Sequence, residues 1–243
     1  MVLKKTNQRV LAVIPARGGS KGIPKKNLIE VNGKPLIYWS VYQALNSGVV
    51  DYVHVSTDSP DIALEATKSG ANCEFLRPNT LSGDRIGTAE TIFDSVKKLE
   101  ALGYTFDYVI ELQPTYCLRG TELIKLAVLQ LIQSNFSSLI TVQRILHTGH
   151  PDYCIDMADD GSAIFNIRRP DEFARQTLRP SYSCHGVVLV AAVKDFLRYQ
   201  TFYTDNCLLY EINDSVRFFD IDTMDDYIAI CELAKRKPNY LTH

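Results

Sequence analysis

Short apolar runs alternate with longer segments of helical periodicity along the first 142 residues. The apolar runs occupy residues 10–14, 52–55, 108–112 and 139–142, and the helical segments occupy residues 36–45, 62–68, 89–102 and 123–132. The short runs have the length of buried strands, and the longer segments have the spacing of amphipathic helices. This alternation predicts right-handed βαβ units and an α/β fold with a mainly parallel sheet, whose ligands bind at the carboxyl ends of the strands.

The regular alternation stops between residues 143 and 183, where polar and turn-forming residues predominate. An irregular insertion of about 40 residues in a compact domain usually has a function, so we expect a projecting β-rich flap or a subunit contact. Apolar runs resume at residues 187–193, 207–212 and 216–220, followed by an amphipathic helix at 224–235. The predicted organisation is one domain formed by residues 1–142 and 184–243, with residues 143–183 inserted as a flap or dimerisation subdomain.

Charge and cysteine content disfavour several classes of function. The 243-residue chain has 26 basic and 28 acidic residues, a formal net charge of −2 and no basic block, so we expect neither nucleic acid nor an anionic membrane as a partner. The longest apolar run, residues 187–193, is far shorter than the ~18 residues of a membrane-spanning helix. The spacing of the six cysteines matches neither a zinc site nor the disulfide framework of a small secreted protein, so we expect free thiols. Residues 1–9 lack the apolar segment of a secretory signal, so we expect the protein in the cytoplasm.

The first predicted strand is followed by a basic, glycine-rich loop, residues 15–27, with the sequence Pro-Ala-Arg-Gly-Gly-Ser-Lys-Gly-Ile-Pro-Lys-Lys-Asn. The spacing is not that of a Walker A motif. However, glycines let backbone N–H groups approach an anion, and four cations lie close together: Arg17, Lys21, Lys25 and Lys26. A solvated basic turn is the alternative. The position of the loop after a buried strand favours a phosphate-binding site.

A second candidate site is the acidic pair Asp220 and Asp222, which follows two phenylalanines and precedes a helix. In a strand, residues i and i+2 point to the same face, so both carboxylates would address one volume at the sheet edge. Carboxylate oxygens suit Mg²⁺, which commonly bridges to substrate phosphates. The alternative is that Asp222 only caps the following helix. Together with the basic loop, the pair indicates nucleotidyl transfer.

A third candidate is Gln113, in the sequence Leu-Gln-Pro-Thr at the end of a predicted strand. Its amide can both donate and accept a hydrogen bond to a ligand in the crevice. A simple turn begun by Pro114 is the alternative interpretation.

Six segments of the chain occur together in one enzyme family. They are residues 14–27, Val-Ser-Thr-Asp at 55–58, Leu-Arg-Pro at 76–78, Leu-Gln-Pro-Thr at 112–115, Ala-Arg-Gln at 174–176 and Asp-Ile-Asp-Thr at 220–223. This set resembles the acylneuraminate cytidylyltransferases, also called CMP-sialic acid or CMP-nonulosonate synthetases, over nearly the whole chain. The resemblance implies a Rossmann-like α/β nucleotidyltransferase domain with a smaller flap that is exchanged across a homodimer. It also implies that CTP and Mg²⁺ activate a nine-carbon nonulosonic acid and that pyrophosphate is released.

The resemblance also implies roles for individual residues. Arg17, Lys21 and Lys26 would hold the triphosphate, with Ala16, Gly18 and Asn27 in the same nucleotide-binding loop. Arg77 and Thr88 would line the cytosine pocket, whereas Gln113, Arg175 and His185 would face the sugar acid. Asp220 and Asp222 would bind the metal. Arg17, Lys21 and Asp222 are the predicted catalytic residues.

Three departures from the family pattern lie on the sugar side. Tyr116-Cys117 replaces a usual Ser-Pro, His185 stands where relatives carry an Asn, and Tyr153 stands where several relatives place a Lys. A changed pocket lining changes which buried polar groups find partners. We therefore expect a substrate other than, or broader than, N-acetylneuraminic acid, with a diamino sugar such as legionaminic or pseudaminic acid as the leading candidate.

Three rival functions stay open at this point. The first is a nucleotidyltransferase of the same fold that uses a sugar 1-phosphate and another nucleotide. The second is a GT-A glycosyltransferase, in which an Asp-x-Asp sequence is also expected, although the basic loop speaks against it. The third is a non-catalytic relative that binds nucleotide only.

Overall fold

The computed structural model of the protein describes residues 7–83, 85–146, 149–165, 167, 176 and 178–243. The strands are β1 (Val10–Pro15), β2 (Glu30–Val31), β3 (Lys34–Pro35), β4 (Tyr52–Ser56), β5 (Tyr108–Glu111), β6 (Ser138–Ile145), β7 (Ile155–Met157), β8 (Ala163–Phe165), β9 (Ser181–Ala192) and β10 (Cys207–Glu211). The helices are α1 (Leu36–Asn46), α2 (Pro60–Lys68), α3 (Thr88–Ala101), α4 (Thr121–Ile132), α5 (Val193–Tyr199), α6 (Met224–Arg236) and α7 (Asn239–Thr242).

The main sheet has the strand order β10-β6-β9-β5-β1-β4. β1 pairs in parallel with β4 and β5, and β10 pairs in parallel with β6. β9 is antiparallel to both of its neighbours, β5 and β6. Among the described strands of this sheet, five therefore share one direction, which confirms the predicted α/β fold with a mainly parallel sheet. The carboxyl ends of β1, β4 and β5 meet at one edge.

Helices cover both faces of the sheet. Successive residues of a strand point to opposite faces, and in the central strands the residues on both faces are apolar. Ile14 of β1 shares a buried core with Ile37 of α1 and Val128 of α4. Its neighbour Val13 points to the opposite face and packs in a second core with Ile92 of α3. This double burial explains why β1 is a continuous apolar run rather than an alternating one.

The predicted flap contains a separate two-stranded hairpin, formed by β7 and β8. The long strands β6 and β9 pair with each other across both predicted boundaries of this segment, with a register shift between Ile140 and Val142. Several apolar side chains of the hairpin face solvent, and Met157 is 81 % exposed. The division of the chain at residues 143 and 183 stays a prediction.

The apolar run at residues 216–220 does not form a strand, so the strand geometry assumed for the acidic pair is wrong. Residues Ser215–Phe218 form a 3₁₀ helix, and residues 219–222 lie outside any strand. The carboxylate of Asp214 accepts a hydrogen bond from the backbone N–H of Val216 at 3.1 Å, which caps the turn. The argument that Asp220 and Asp222 share one face of a strand therefore does not apply.

All six cysteines, which lie within the described ranges, have free thiols, as predicted. Among the helices that the structure describes, none has the length and apolar character needed to cross a bilayer.

The buried His54 of β4 makes the stability of the fold depend on pH. Its side chain is fully buried, and its Nε2 has no hydrogen-bond partner among the described residues. Although Nδ1 lies 3.3 Å from a carboxylate oxygen of Glu74, loss of hydration dominates and lowers the pKa of His54 to about 4. The folded protein therefore keeps this imidazole neutral at pH values where the unfolded chain protonates it.

We expect the free energy of unfolding to fall as the pH drops from 6.5 towards 4, since only the unfolded state takes up this proton. The loss from pH 7 to pH 5 should be about 2 kcal/mol larger in the wild type than in His54→Gln, measured by urea denaturation. The control His243→Gln changes an exposed imidazole and should keep the wild-type pH dependence. Equal pH dependence of the wild type and His54→Gln would contradict this account.

Candidate active site

The glycine-rich loop leaves β1 at the carboxyl edge of the sheet. Ala16 is buried, and its N–H donates to the carbonyl of Ser56 at 2.9 Å, which holds the start of the loop against the end of β4. The N–H of Gly18 donates to Oδ1 of Asp58 at 2.7 Å. These contacts fix the first turn of the loop against the segment that follows β4.

The second half of the loop is held against the acidic segment near the other end of the chain. Nζ of Lys26 donates to the carbonyl of Ile221 at 2.7 Å and lies 3.1 Å from Oδ1 of Asp222. The backbone at Gly22 approaches so closely that a methyl group there would overlap the carbonyl oxygen of Asp222. The structure thus brings together two motifs that are about 200 residues apart in the sequence.

A buried amide holds the two halves of the loop together. The side chain of Asn27 donates to the carbonyl of Arg17 at 3.0 Å. Arg17 itself is half-buried, and Lys21 is exposed on the loop. The loop therefore has a defined backbone with basic side chains along it, which suits a site that binds an anion.

Arg77 lies next to this loop, almost fully buried at 6 % exposure. Its Nη1 donates to the hydroxyl of Thr91 at 3.3 Å, and its Nη2 lies 3.9 Å from Asp58. Burial lowers the pKa of Arg77, and the nearby charge of Arg17 acts in the same direction, whereas Asp58 opposes it. Nε and Nη2 have no hydrogen-bond partner among the described residues, which is unusual for buried donors and makes Arg77 a candidate ligand-binding residue.

Thr88 begins α3, one helical turn before Thr91. The structure therefore places the two predicted cytosine-pocket residues, Arg77 and Thr88, at the same end of α3. Thr88 also lies near Glu111, the last residue of β5: burial raises the pKa of Glu111, and the side chains of Gln113 and Thr88 oppose that shift.

The predicted sugar side lies beyond the ends of β5 and β9. Gln113 follows β5, and Gly186 of β9 packs so closely on it that a methyl group there would lie 2.6 Å from Nε2 of Gln113. His185 contacts the ring of Phe218 at 4.8 Å between centroids, and its Nε2 lies 3.1 Å from the Ser183 hydroxyl. Burial lowers the pKa of His185, although the charge of Asp220 opposes the shift.

Arg175, the third predicted sugar-side residue, lies outside the described residues, so the structure does not place it.

The two acidic residues occupy different surroundings. Oδ1 of Asp220 is buried and has no hydrogen-bond partner in the described part of the chain. The Asp222 side chain is 74 % exposed beside Lys26. Burial raises the pKa of the Tyr116 hydroxyl, and the charges of Asp220 and Asp222 both add to the shift. Both carboxylates therefore lie near the phenol of Tyr116.

A buried arginine that the sequence analysis did not single out supports the loop after β5. Arg119 is fully buried and donates to four groups: the carbonyls of Tyr116, Gln113 and Val187 and the hydroxyl of Ser40. Burial lowers the pKa of Arg119 to about 10, which leaves it charged at neutral pH. It therefore fixes the backbone from which Gln113 projects.

Comparison with known proteins shows the class to which this site belongs. A family model described as cytidylyltransferase matches residues 11–201, which include the glycine-rich loop, Arg77 and Gln113. The chain belongs to the cytidylyltransferase family.

Two curated relatives match this cytidylyltransferase over nearly their full length. This chain is 34% identical over 226 residues to a CMP-N,N'-diacetyllegionaminic acid synthase from Legionella pneumophila, and the alignment covers 90% of this chain and 93% of the relative. This chain is 30% identical over 220 residues to a pseudaminic acid cytidylyltransferase from Campylobacter jejuni, and the alignment covers 89% of this chain and 92% of the relative.

A solved structure shows the same fold. The CMP:2-keto-3-deoxy-manno-octonic acid synthetase complexed with CTP superposes with a TM-score of 0.70 at 17% identity, over 94% of this chain and 99% of that chain. This likeness confirms the Rossmann-like nucleotidyltransferase fold that the sequence predicts.

Three residues of the site were missed as functional candidates, although the sequence contains signals for two of them. Asp58 lies two residues after the end of the buried strand β4, and Gln113, which did draw attention, lies two residues after the end of β5. Glu111 is a charged residue inside an apolar run. Arg119 gave no signal, because a buried arginine cannot be told from an exposed one without its contacts.

We expect Asp58→Ala to weaken CTP binding to this cytidylyltransferase by about 10- to 100-fold, because it removes the charge-assisted hydrogen bond of Gly18 and the anion beside Arg77. The dissociation constant for CTP can be measured by calorimetry without a sugar acid. Asp61→Ala is the matched control, since Asp61 is an exposed carboxylate 3.7 Å from Lys25. Equal affinities for Asp58→Ala and Asp61→Ala would show that Asp58 does not organise the nucleotide site.

Proposed function

We propose that this cytidylyltransferase activates a nonulosonic acid with CTP. The anomeric hydroxyl of the bound acid attacks the α-phosphate of CTP, pyrophosphate leaves, and the product is the CMP-sugar. The observation that carries the proposal is the near full-length similarity to two relatives named for CMP-legionaminic acid synthesis and pseudaminic acid cytidylyl transfer. A site with a basic loop on one side and an acidic segment on the other is suited to this chemistry.

The nucleotide half of the site has a distinct role for each part. Ala16, Gly18 and Asn27 hold the loop in shape, so that Arg17, Lys21 and Lys26 contact the triphosphate. Arg17 and Lys21 stabilise the charge that accumulates on the phosphates during the displacement. Arg77 and Thr88 contact the cytosine, and the two unused buried donors of Arg77 provide hydrogen bonds for its acceptor atoms.

The acidic segment fits Mg²⁺. Asp220 has a buried carboxylate oxygen without a partner among the described residues, and Asp222 presents an exposed carboxylate beside the phosphate-binding loop. Mg²⁺ commonly binds through one or two carboxylates plus substrate phosphates, so a third protein ligand is not required. Asp220 and Asp222 would hold the ion, which when bound supplies charge neutralisation at the reacting phosphate. Lys26 keeps the Asp222 segment against the loop.

A diamino nonulosonic acid is our leading substrate. Tyr116 and His185 lie on the sugar side, and both differ from the pattern expected for N-acetylneuraminic acid enzymes. His185 presents a half-buried imidazole ring between Ser183 and Phe218 rather than an amide. The name of the Legionella relative, a CMP-N,N'-diacetyllegionaminic acid synthase, supports this choice.

A homodimer is also part of the proposal. Ile155, Met157 and Phe165 of the β7–β8 hairpin are 48 %, 81 % and 42 % exposed, and they share one face of the hairpin because Ile155 pairs directly with Phe165. Clustered apolar side chains of this size on a projecting hairpin are typical of an interaction surface. We assign this surface to a second copy of the chain.

We place the reaction in a reducing compartment, the cytoplasm, because all six cysteines carry free thiols.

The test is a pyrophosphate-release screen with Mg²⁺, in which CTP is combined with N-acetylneuraminic, legionaminic and pseudaminic acids. We expect turnover with CTP but not with UTP, ATP or GTP, and a kcat/KM at least 10-fold higher for a diamino acid than for N-acetylneuraminic acid. His185→Asn should reduce that ratio. A preference for GTP with a sugar 1-phosphate would support the rival nucleotidyltransferase, and CTP binding without turnover would support a non-catalytic relative.

If the wild type prefers N-acetylneuraminic acid and His185→Asn leaves that preference unchanged, His185 does not contribute to the choice of sugar.

A further inference from the structure

The last residue of β5 is a carboxylic acid without an assigned role. Glu111 is only 1 % exposed, in a strand whose other buried residues are apolar. Burying a carboxyl group costs free energy unless its oxygens are hydrogen-bonded, so such a group usually has a specific task. It lies at the carboxyl edge of the sheet, two residues before Gln113.

The contacts of Glu111 are directed towards the proposed substrate site. Nε2 of Gln113 donates to Oε1 of Glu111 at 2.9 Å. The side chain of Thr88 lies close enough to the same carboxyl group to oppose part of the rise that burial causes in its pKa. Burial raises the pKa of Glu111, whereas the hydrogen bond from Gln113 and the nearby charge of Arg119 oppose that shift. The hydrogen bonds of Arg119 itself go to three carbonyls and the Ser40 hydroxyl.

These contacts determine which end of the Gln113 amide is used internally. Oε1 of Glu111 accepts the hydrogen bond from Nε2, so the carboxyl group holds the NH₂ end of the amide. Gly186 closes the other side, since even a methyl group there would lie 2.6 Å from Nε2 and 3.7 Å from Oε1. With Nε2 held between Glu111 and Gly186, the carbonyl oxygen of Gln113 remains available as a hydrogen-bond acceptor.

We propose that Glu111 is a positioning residue that fixes the amide of Gln113, so that Gln113 recognises a hydrogen-bond donor on the sugar acid, a hydroxyl or an acylamino N–H. The inference rests on the proposed function and adds a constraint to it. The carboxylate of the sugar acid is an acceptor only, so it is bound by other residues and not by the carbonyl oxygen of Gln113.

The test is a double-mutant cycle between Glu111→Gln and Gln113→Met, in which the KM for the sugar acid, the KM for CTP and kcat are measured. Glu111→Gln has the same shape but can donate as well as accept, so it no longer selects one end of the neighbouring amide. We expect the KM for the sugar acid to rise about 10-fold, with the KM for CTP and kcat within about 3-fold of the wild type. In the Gln113→Met background, Glu111→Gln should have no further effect.

Two further variants separate positioning from general stability. Gly186→Ala displaces the same amide from its other side and should also raise the KM for the sugar acid selectively. Glu122→Gln, an exposed change on α4, is the matched control and should leave all three constants unchanged.

An unchanged sugar KM in Glu111→Gln, or an equal rise in the KM for CTP, would overturn the positioning role. A rise in the sugar KM that Glu111→Gln still causes in full in the Gln113→Met background would also overturn the positioning role. If the wild type releases no pyrophosphate with any nonulosonic acid, the proposed function fails and the inference fails with it. If the wild type is active and Glu111→Gln has the wild-type KM for the sugar acid, the positioning role is rejected and the proposed function is kept.

Discussion

The site depends on the contact that joins the first loop of the chain to the segment before α6. Nζ of Lys26 binds the carbonyl of Ile221 and lies beside Asp222, while the backbone of Gly22 packs directly on the carbonyl of Asp222. The basic and acidic groups come from opposite ends of the chain, so they face each other only in the folded protein. A phosphate ligand would bind beside groups of both signs, and the contact between Lys26 and the Asp222 segment holds the two motifs together without the ligand, which suits electrostatic stabilisation.

The central position of β1 makes this contact possible. Parallel pairing with β4 and β5 brings the segments after all three strands to one edge, so Gly18, Asp58 and Gln113 lie on a common rim. The antiparallel strand β9 runs in from the same rim and contributes His185 and Gly186 beside Gln113. Polar side chains then hold the loops on this rim: Asp58 and Asn27 beside the glycine-rich loop, and the buried Glu111 and Arg119 beside Gln113. The parallel core therefore sets the position of the site, and these polar groups set its local shape.

Sequence patterns predicted the parts of the fold that repeat and missed the parts that depend on single contacts. β1, β4, β5 and β6 and helices α1 to α4 lie where periodicity places them, because each has a buried face with a regular spacing. Periodicity failed at residues 216–220, where the side chain of Asp214 stabilises a 3₁₀ turn that an apolar run alone does not indicate. Periodicity also gave no role to Glu111 or Arg119. The role of Arg119 depends on partners that are distant in the sequence, and the role of Glu111 depends on the orientation of the Gln113 amide. The loop cations and the acidic pair were found because charged residues next to buried strands are conspicuous, but their mutual contact became visible only in three dimensions.

The central claim is that the glycine-rich loop and the acidic segment form one phosphate and metal site through their close approach at Gly22. The most direct measurement is the Mg²⁺ concentration that gives half-maximal pyrophosphate release at saturating CTP and sugar acid, in Gly22→Ala and in Gly19→Ala. Both variants add one methyl group to the same loop, but the methyl group at Gly19 meets no atom within 4 Å, whereas the one at Gly22 displaces Asp222. The account predicts that Gly22→Ala requires at least about 10-fold more Mg²⁺ while Gly19→Ala stays within about 2-fold of the wild type, at similar melting temperatures. A wild-type Mg²⁺ requirement in Gly22→Ala, or equal shifts in both variants, would contradict it.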